Sequence, residues 1–118
     1  MMKPLERHVR ARVKLALKTF SIHRHSAVAG PYSTLGVEDD TVCMYGRYVG
    51  IESKVDATKK PTALQRTNAL SVVASGGCML LIHHGNIDAF EEWVAHCHDV
   101  SRFVTPPVSI EWYGEWPR

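Results

Sequence analysis

Two carboxylates and an ammonium group occur at a spacing that a β-hairpin can bring together. Glu52 and Lys54 are separated by one residue, so on a strand their side chains lie on the same face. Asp39 lies thirteen residues before Glu52. If the chain turns through Tyr45-Gly46, Asp39 and Glu52 stand directly opposite each other, with Cβ atoms roughly 5 Å apart.

Such a group of side chains indicates phosphate chemistry that depends on a metal ion. Two carboxylates placed directly opposite each other are unfavourable unless a cation accompanies them. Mg²⁺ typically uses one or two carboxylates together with water and phosphate oxygens, so Asp39 and Glu52 predict a site for Mg²⁺ or Mn²⁺. Lys54 would position or deprotonate the attacking water, or offset negative charge in the transition state.

The residues alone leave two other interpretations open. With a three-residue turn, Asp40 replaces Asp39 opposite Glu52, and every side chain of one strand changes face. Glu-x-Lys is also a common pair of surface charges, so an exposed hairpin without any site would carry the same residues.

The elements that must position these side chains follow from the apolar pattern. A helix is predicted from Pro4 to about Phe20, because apolar residues recur there at three- and four-residue spacing. Residues 22–29 alternate loosely and predict a strand, and 30–36 predict a loop. The hairpin covers 39–55.

The second half of the chain predicts helix, strand and helix. Thr62 is a candidate cap for a helix over 63–75 that ends at Gly76-Gly77. The continuous apolar run 78–82 predicts a central strand buried on both faces. Asn86 or Asp88 begins a helix that runs to about His98. The inward side chains of the helix over 63–75 are predicted to be Leu64, Ala69, Leu70 and Val73.

The predicted order α-β-β-β-α-β-α is that of an α/β sandwich around a mixed sheet, with one domain over residues 1–118. No apolar run approaches the ~18 residues of a membrane span, and the N-terminus lacks a signal-peptide pattern. A soluble intracellular protein is therefore expected. The three cysteines are too few and too widely spaced for a disulfide framework, so we expect reduced, buried thiols.

Charge is distributed unevenly along the chain. Residues 1–25 carry seven bases against one acid, a balance of +6, whereas residues 83–118 carry two bases against six acids, a balance of −4. A basic end of this kind attracts a polyanion, although a solvated helix face explains it equally well. The candidate DNA-binding residues are Arg10, Arg12, Lys14, Lys18, Lys59, Lys60 and Arg66.

The sequence around the hairpin resembles a nuclease family. The segments that carry the resemblance are Gly36-Val37-Glu38-Asp39, the run from Gly46 to Lys54, the run from Pro61 to Gln65, and Ala74-Ser75-Gly76-Gly77. Together they resemble the VRR-NUC family, the virus-type replication and repair nucleases of the PD-(D/E)xK superfamily. The resemblance covers about residues 6–94 and leaves an aromatic tail over 104–118.

The resemblance implies a restriction-endonuclease-like fold and metal-dependent hydrolysis of phosphodiester bonds. It assigns Asp39 and Glu52 to the metal, with Ser53 and Glu6 as further candidate ligands. Lys54 matches the catalytic lysine and Gln65 a glutamine beside the site. It also favours Asp39 over Asp40 in the hairpin register. One departure is Glu38, which replaces the family's usual proline and adds a charge next to the site.

The resemblance also implies a substrate and an assembly. Stand-alone members of this length, encoded by phages, resemble Holliday-junction resolvases that act as homodimers. A structure-selective endonuclease acting on branched DNA in the host cytoplasm is therefore expected. The alternatives are a flap or duplex nuclease, and a non-catalytic module that binds DNA or a protein partner on the same fold.

Overall fold

The computed structural model describes residues 5–27 and 36–112. The strands form one four-stranded sheet in the order β1-β2-β3-β4, in which β1, β2 and β3 run antiparallel and β4 runs parallel to β3. The prediction of an α/β structure with a mixed sheet is confirmed. The elements are α1 (Glu6–Thr19), β1 (His23–Ser26), β2 (Asp40–Met44), β3 (Arg47–Ser53), α2 (Ala63–Ala74), β4 (Cys78–Ile82) and α3 (Ile87–Val100).

A two-residue turn sets the register of the β2–β3 hairpin. Tyr45 and Gly46 both have positive φ, 50° and 87°, as the tight hairpin turn that matches the strand twist requires. Met44 pairs with Arg47, and the ladder extends to Asp40 opposite Ile51. The predicted register is therefore confirmed, and it places Asp39 and Glu52 at the next pair of positions.

The main core lies between one face of the sheet and the helices α1 and α3. The apolar stripe of α1 packs inward, as its three- and four-residue spacing predicted. Trp93 also donates its indole N–H to the carbonyl of Val104 at 2.7 Å, which satisfies its polar atom. The core includes Val9, Val13, Leu17, Val42, Val49, Ile51, Leu80, Phe90, Trp93 and Val94.

Helix α2 covers the opposite face and packs more lightly than predicted. Ala69 is buried against Met79 and Leu81 of β4, with Val72 and Val73 partly buried beside them. The prediction that Leu64 and Leu70 point inward was wrong, because their exposed fractions are 53% and 43%. Apolar residues occur around much of α2, so spacing alone did not identify the side that contacts the sheet.

Strand β4 is buried on both faces, as predicted, but it stands at one end of the four-stranded order. The segment 110–112 covers its outer edge. Leu81 donates its N–H to the carbonyl of Ile110 at 3.0 Å, and Trp112 donates to that of Met79 at 2.9 Å. Trp112 is buried in this way, whereas Tyr113 and Trp116 of the aromatic tail lie outside the described residues.

Several smaller predictions have mixed outcomes. All three cysteines are free, but Cys43 is exposed rather than buried. Its side chain lies on the face of β2 opposite the main core. The predicted loop over 30–36 lies outside the described residues except for Gly36. Within residues 5–27 and 36–112, no helix has the length and apolar character to cross a bilayer.

Candidate active site

Asp39 and Glu52 meet where β2 begins and β3 ends. Val49 and Ile51 face the main core, so the alternation of β3 turns Glu52 and Lys54 toward the α2 side. The backbone N–H of Asp39 donates to Oε1 of Glu52 at 3.1 Å. This hydrogen bond and the strand register place the two acidic residues side by side at one end of the sheet.

A further hydrogen bond fixes the Asp39 carboxylate to the end of β3. Its Oδ2 accepts the backbone N–H of Ser53 at 2.9 Å. Asp39 remains partly exposed, whereas Glu52 is 1% exposed. One carboxylate therefore reaches solvent while its partner forms the floor of the site.

Both carboxylates carry an electrostatic penalty. Burial raises the pKa of Glu52 to about 8, and the neighbouring charge of Asp39 adds to this rise, while Lys54 opposes it. Burial also raises the pKa of Asp39 above its ordinary value. The hydrogen bond from the Ser53 N–H and the positive charge of Arg10 oppose this rise. Without a further cation, the pair is thus only incompletely compensated.

Lys54 is held by the start of α2. Its Nζ donates to Oε1 of Gln65 at 3.0 Å, and the same oxygen accepts the backbone N–H of Thr62 at 2.8 Å. The Thr62 side chain in return accepts the N–H of Gln65 at 3.1 Å, which completes a capping box. Gln65 therefore both caps the helix and positions the ammonium group beside the carboxylates.

Glu38 lies beneath the site in a polar network that the sequence did not reveal. Its side chain is 2% exposed. Oε1 accepts the amide N–H of Asn68 at 2.8 Å, and Oε2 accepts the hydroxyls of Thr41, at 3.3 Å, and Tyr48. The added carboxylate leaves the hairpin register unchanged, and its charge contributes to the raised pKa of Glu52.

Gly50 makes room for that network. A Cβ atom at this position would collide with the sulfur of Met79 and lie 2.7 Å from Oε2 of Glu38. A strand glycine often marks a place where another group approaches the backbone closely, and here the group is the Glu38 carboxylate.

The alternative carboxylate, Asp40, belongs to a different contact. It is 2% exposed and forms a 2.6 Å ion pair with Arg24 on β1, and it accepts the Ser26 hydroxyl at 2.9 Å. Its place in β2 puts it on the same face as Val42 and Met44. Asp40 is thus directed away from Glu52 and Lys54.

The pair of carboxylates fits a hard divalent cation. Oε2 of Glu52 is buried and has no hydrogen-bond partner among the described residues, so the pair contains an acceptor with unused capacity. Carboxylate oxygens are the ligands that Mg²⁺ and Mn²⁺ prefer. Residues 5–27 and 36–112 contain no group of three or more His, Cys, Asp or Glu side chains able to hold a metal, so the pair would depend on water and substrate oxygens.

The other predicted metal ligands lie differently. Ser53 adjoins the pair through its backbone N–H, but its side chain points to the other face, and its buried Oγ lacks a partner within the described residues. Glu6 is exposed in the first turn of α1. No hydrogen bond or ion pair of the described residues joins Glu6 to Asp39 or Glu52.

The candidate DNA-binding residues occupy three places. Arg10, Lys14 and Lys18 are exposed on α1, and Lys59 and Lys60 are exposed in the segment between β3 and α2. Arg66 lies on α2, half-buried. Arg12, by contrast, is bound to α3 through ion pairs with Asp88, at 2.9 Å, and Glu91.

Some of the missed residues had a signal in the sequence. Asn68 lies three residues after Gln65, so both side chains share one face of α2, the face that looks toward the site. Arg7 was also missed, although its spacing from the predicted Arg10 and Lys14 places it on the same side of α1. Arg24 and Asp40 had no such signal, because their pairing depends on the β1–β2 register.

Comparisons of the chain with protein-family models, with curated proteins and with solved structures found no match. The resemblance to the VRR-NUC family therefore stays a prediction made from the sequence motifs.

Proposed function

We propose that the protein is a metal-dependent endonuclease that hydrolyses phosphodiester bonds in DNA. The observation that carries the proposal is the pair Asp39 and Glu52, held together by backbone hydrogen bonds, with the ammonium group of Lys54 beside them. The charges of the two carboxylates are incompletely compensated, and the Lys54 ammonium is held in a fixed position. This arrangement suits a substrate that has negative oxygens and binds together with a metal ion.

Each residue has a separate part in this proposal. Asp39 and Glu52 would hold Mg²⁺ or Mn²⁺, which when bound polarises a phosphoryl oxygen and lowers the pKa of water. Lys54 has three N–H donors, of which Gln65 takes one. The other two donors have no hydrogen-bond partner among the described residues, so they would orient the attacking water or offset charge that develops on the phosphate.

The choice of substrate depends on the sequence resemblance. Branched DNA as the preferred substrate, a homodimer as the active assembly and a restriction-endonuclease-like fold all come from the likeness to the VRR-NUC family. A two-fold dimer would place two identical sites so that they cut two strands symmetrically, which matches the near symmetry of a four-way junction.

Cleavage of a labelled synthetic four-way junction tests the proposal, with flap and linear duplex substrates run beside it. Wild type, Asp39→Asn and Lys54→Ala are compared in Mg²⁺, Mn²⁺ and EDTA, and Asp99→Asn serves as a control because this acid is exposed on α3. We expect paired symmetric nicks in wild type and Asp99→Asn. Cleavage should be lost in EDTA and in both site variants, by at least about 100-fold.

The outcomes separate the parts of the proposal. Metal-dependent cutting of flaps or duplex alone would keep the nuclease and discard junction selectivity. Tight DNA binding without cleavage in either metal would favour the non-catalytic module. Undiminished cleavage by Lys54→Ala would show that the assignment of Lys54 is wrong.

A further inference from the structure

A basic cleft lies between α1 and the edge strand β1. It has a volume of about 290 Å³ and is lined by Arg7, Arg10 and Lys14 from the helix and by Arg24, Ser26 and Asp40 from the strands. Among the described residues of the cleft, four positive side chains therefore face one carboxylate. The cleft is distinct from the space around Lys54, which lies on the α2 side of the sheet.

The Asp40 carboxylate that lines the cleft is already neutralised. Asp40 is buried, pairs with Arg24 at 2.6 Å and accepts the Ser26 hydroxyl. This contact fixes the Arg24 guanidinium in place at the edge of the sheet. Arg7, Arg10 and Lys14 form no ion pair within the described part of the chain, so their charges remain available to an external anion.

The orientation of α1 explains why these cations are free. Arg12 is tied to Asp88 and Glu91 of α3, and this contact fixes the rotation of the helix. Arg7, Arg10, Lys14 and Lys18 then follow one another along the opposite side at spacings of three and four residues. The basic side of α1 is thus presented as a continuous row.

The row extends in two directions. A second cleft of about 540 Å³ shares Lys14 and Arg24 with the first and adds Lys18 and His23. At the other end, the lining residues Ser26 and Asp40 adjoin Asp39, whose backbone carbonyl accepts the N–H of Ala27 at 2.9 Å. The positive surface therefore runs from the end of α1 toward the two carboxylates.

We infer that the cleft lined by Arg7, Arg10, Lys14 and Arg24 binds the phosphate backbone of one DNA strand and leads it to Asp39 and Glu52. This inference rests on the proposed function. Among the described residues, the lining contains no aromatic ring, and Ala11 is the only apolar side chain. Such a surface contacts phosphates without stacking on bases, so it holds the strand independently of sequence.

Salt-dependent DNA binding in EDTA tests the inference without cleavage. Affinity for a labelled duplex and for a four-way junction is measured by fluorescence anisotropy over a range of NaCl concentrations. Arg7→Ala and Lys14→Ala are compared with Arg102→Ala, which removes the same charge at an exposed position outside the cleft. All three residues are exposed, and thermal melts confirm that each variant folds.

Each cleft variant should lose about one unit from the slope of log affinity against log salt, with binding weakened roughly five- to tenfold near 0.1 M salt. Arg102→Ala should keep the wild-type slope. Wild-type slopes in both cleft variants would overturn the inference, as would a wild type that does not bind DNA.

A free or terminal phosphate is a different source of the same chemistry. Covalently closed circular DNA, which has no ends, and inorganic phosphate are therefore used as competitors. If the circular DNA competes for binding to wild type and competes less well for the cleft variants, the result supports binding of the phosphate backbone. A cleft that responds only to inorganic phosphate or to 5′-phosphorylated ends would overturn the assignment to the backbone. Metal-dependent cleavage, measured separately, distinguishes a failure of the proposed function from a failure of the cleft.

Discussion

Glu52 has the least favourable environment for a charged carboxylate in the candidate site. It is 1% exposed, its Oε2 has no hydrogen-bond partner within the described residues, and it lies beside the charge of Asp39. A buried polar group without a partner costs free energy on folding. Residues of this kind occur at functional sites, where a ligand supplies what the protein lacks.

The raised pKa of Glu52 has a direct consequence for stability. The folded pKa is about 8 and the ordinary value is 4.5, so folding takes up a proton between these pH values. The penalty is absent below about pH 4.5 and grows as pH rises toward 8. We predict that Glu52→Gln, which removes the charge, stabilises the metal-free protein by about 2 to 3 kcal/mol at pH 7 and abolishes cleavage.

Chemical denaturation of wild type and Glu52→Gln in EDTA at pH 5 and pH 7 measures this effect. The difference in unfolding free energy should shrink to less than about 1 kcal/mol at pH 5. Asp99→Asn, at an exposed position, should show no such pH dependence. Equal stabilities of wild type and Glu52→Gln at both pH values would contradict a buried, ionisable Glu52.

The alternation of a strand made part of the site predictable. The Tyr45-Gly46 turn and the two-residue period were enough to oppose Asp39 to Glu52 and to place Lys54 on the same face. The role of Glu38 could not be predicted in this way, because its partners Tyr48 and Asn68 come from separate elements. Its burial also depends on the space left by Gly50, which only the packed structure defines.

At the scale of elements, the start of α2 and the position of Lys54 depend on the same atoms. Oε1 of Gln65 accepts both the N–H of Thr62 and the ammonium of Lys54. The Thr62 hydroxyl fixes the first turn by accepting the N–H of Gln65. The end of the hairpin is thereby linked to the helix that follows it.

We predict that Thr62→Ala destabilises the protein by about 1 kcal/mol and lowers kcat on the order of tenfold. The loss of the cap loosens the first turn of α2, and Gln65 then no longer holds Lys54 in a fixed position. Denaturant melts and single-turnover cleavage measure the two effects.

Thr67→Ala provides the matched control. Thr67 lies on the same helix, is exposed and donates its hydroxyl to the carbonyl of Ala63 at 3.0 Å, so it contributes neither to the cap nor to the site. It should leave kcat unchanged. If Thr62→Ala cleaves at the wild-type rate while losing stability, the helix start does not position Lys54.

The sequence predicted the elements better than their orientation. Apolar spacing found α1, but it did not show that Arg12 would bind Asp88 and Glu91, since that depends on which side of α3 faces α1. For α2, four apolar residues were predicted inward, but Ala69 alone of them is fully buried against β4, whereas Leu64 and Leu70 are exposed. A small residue allows the helix to approach the sheet, which a hydrophobicity pattern does not express.

At the scale of the whole molecule, the site lies where several parts of the chain meet. The ends of β3 and β4 lie at the same edge of the sheet because the two strands are parallel, and Lys54 donates its backbone N–H to Ile82 at 2.9 Å. The basic side of α1 lies near the same edge, because Arg10 lines a cleft together with Asp40 at the start of β2. A ligand bound at this edge would therefore stabilise contacts between separate elements as well as the carboxylates.

Metal binding should accordingly raise the melting temperature of the whole protein, because a ligand that binds only the folded state stabilises it in proportion to RT ln(1 + [L]/Kd). The effect should also depend on pH. Below about pH 8 the metal must displace the proton of Glu52, so the apparent affinity should fall by about tenfold per pH unit. We predict a clear rise in melting temperature with Mn²⁺ or Mg²⁺ at pH 8 and a much smaller rise at pH 6.

Differential scanning fluorimetry with a metal titration at the two pH values measures this dependence. Asp39→Asn, which removes one ligand of the pair, should abolish the rise at pH 8, whereas Asp99→Asn should retain it. A rise that is the same at pH 6 and pH 8, or that persists in Asp39→Asn, would place the metal elsewhere. In that case the raised pKa of Glu52 would reflect the burial of an acid that binds no metal, and the nuclease proposal would lose its central observation.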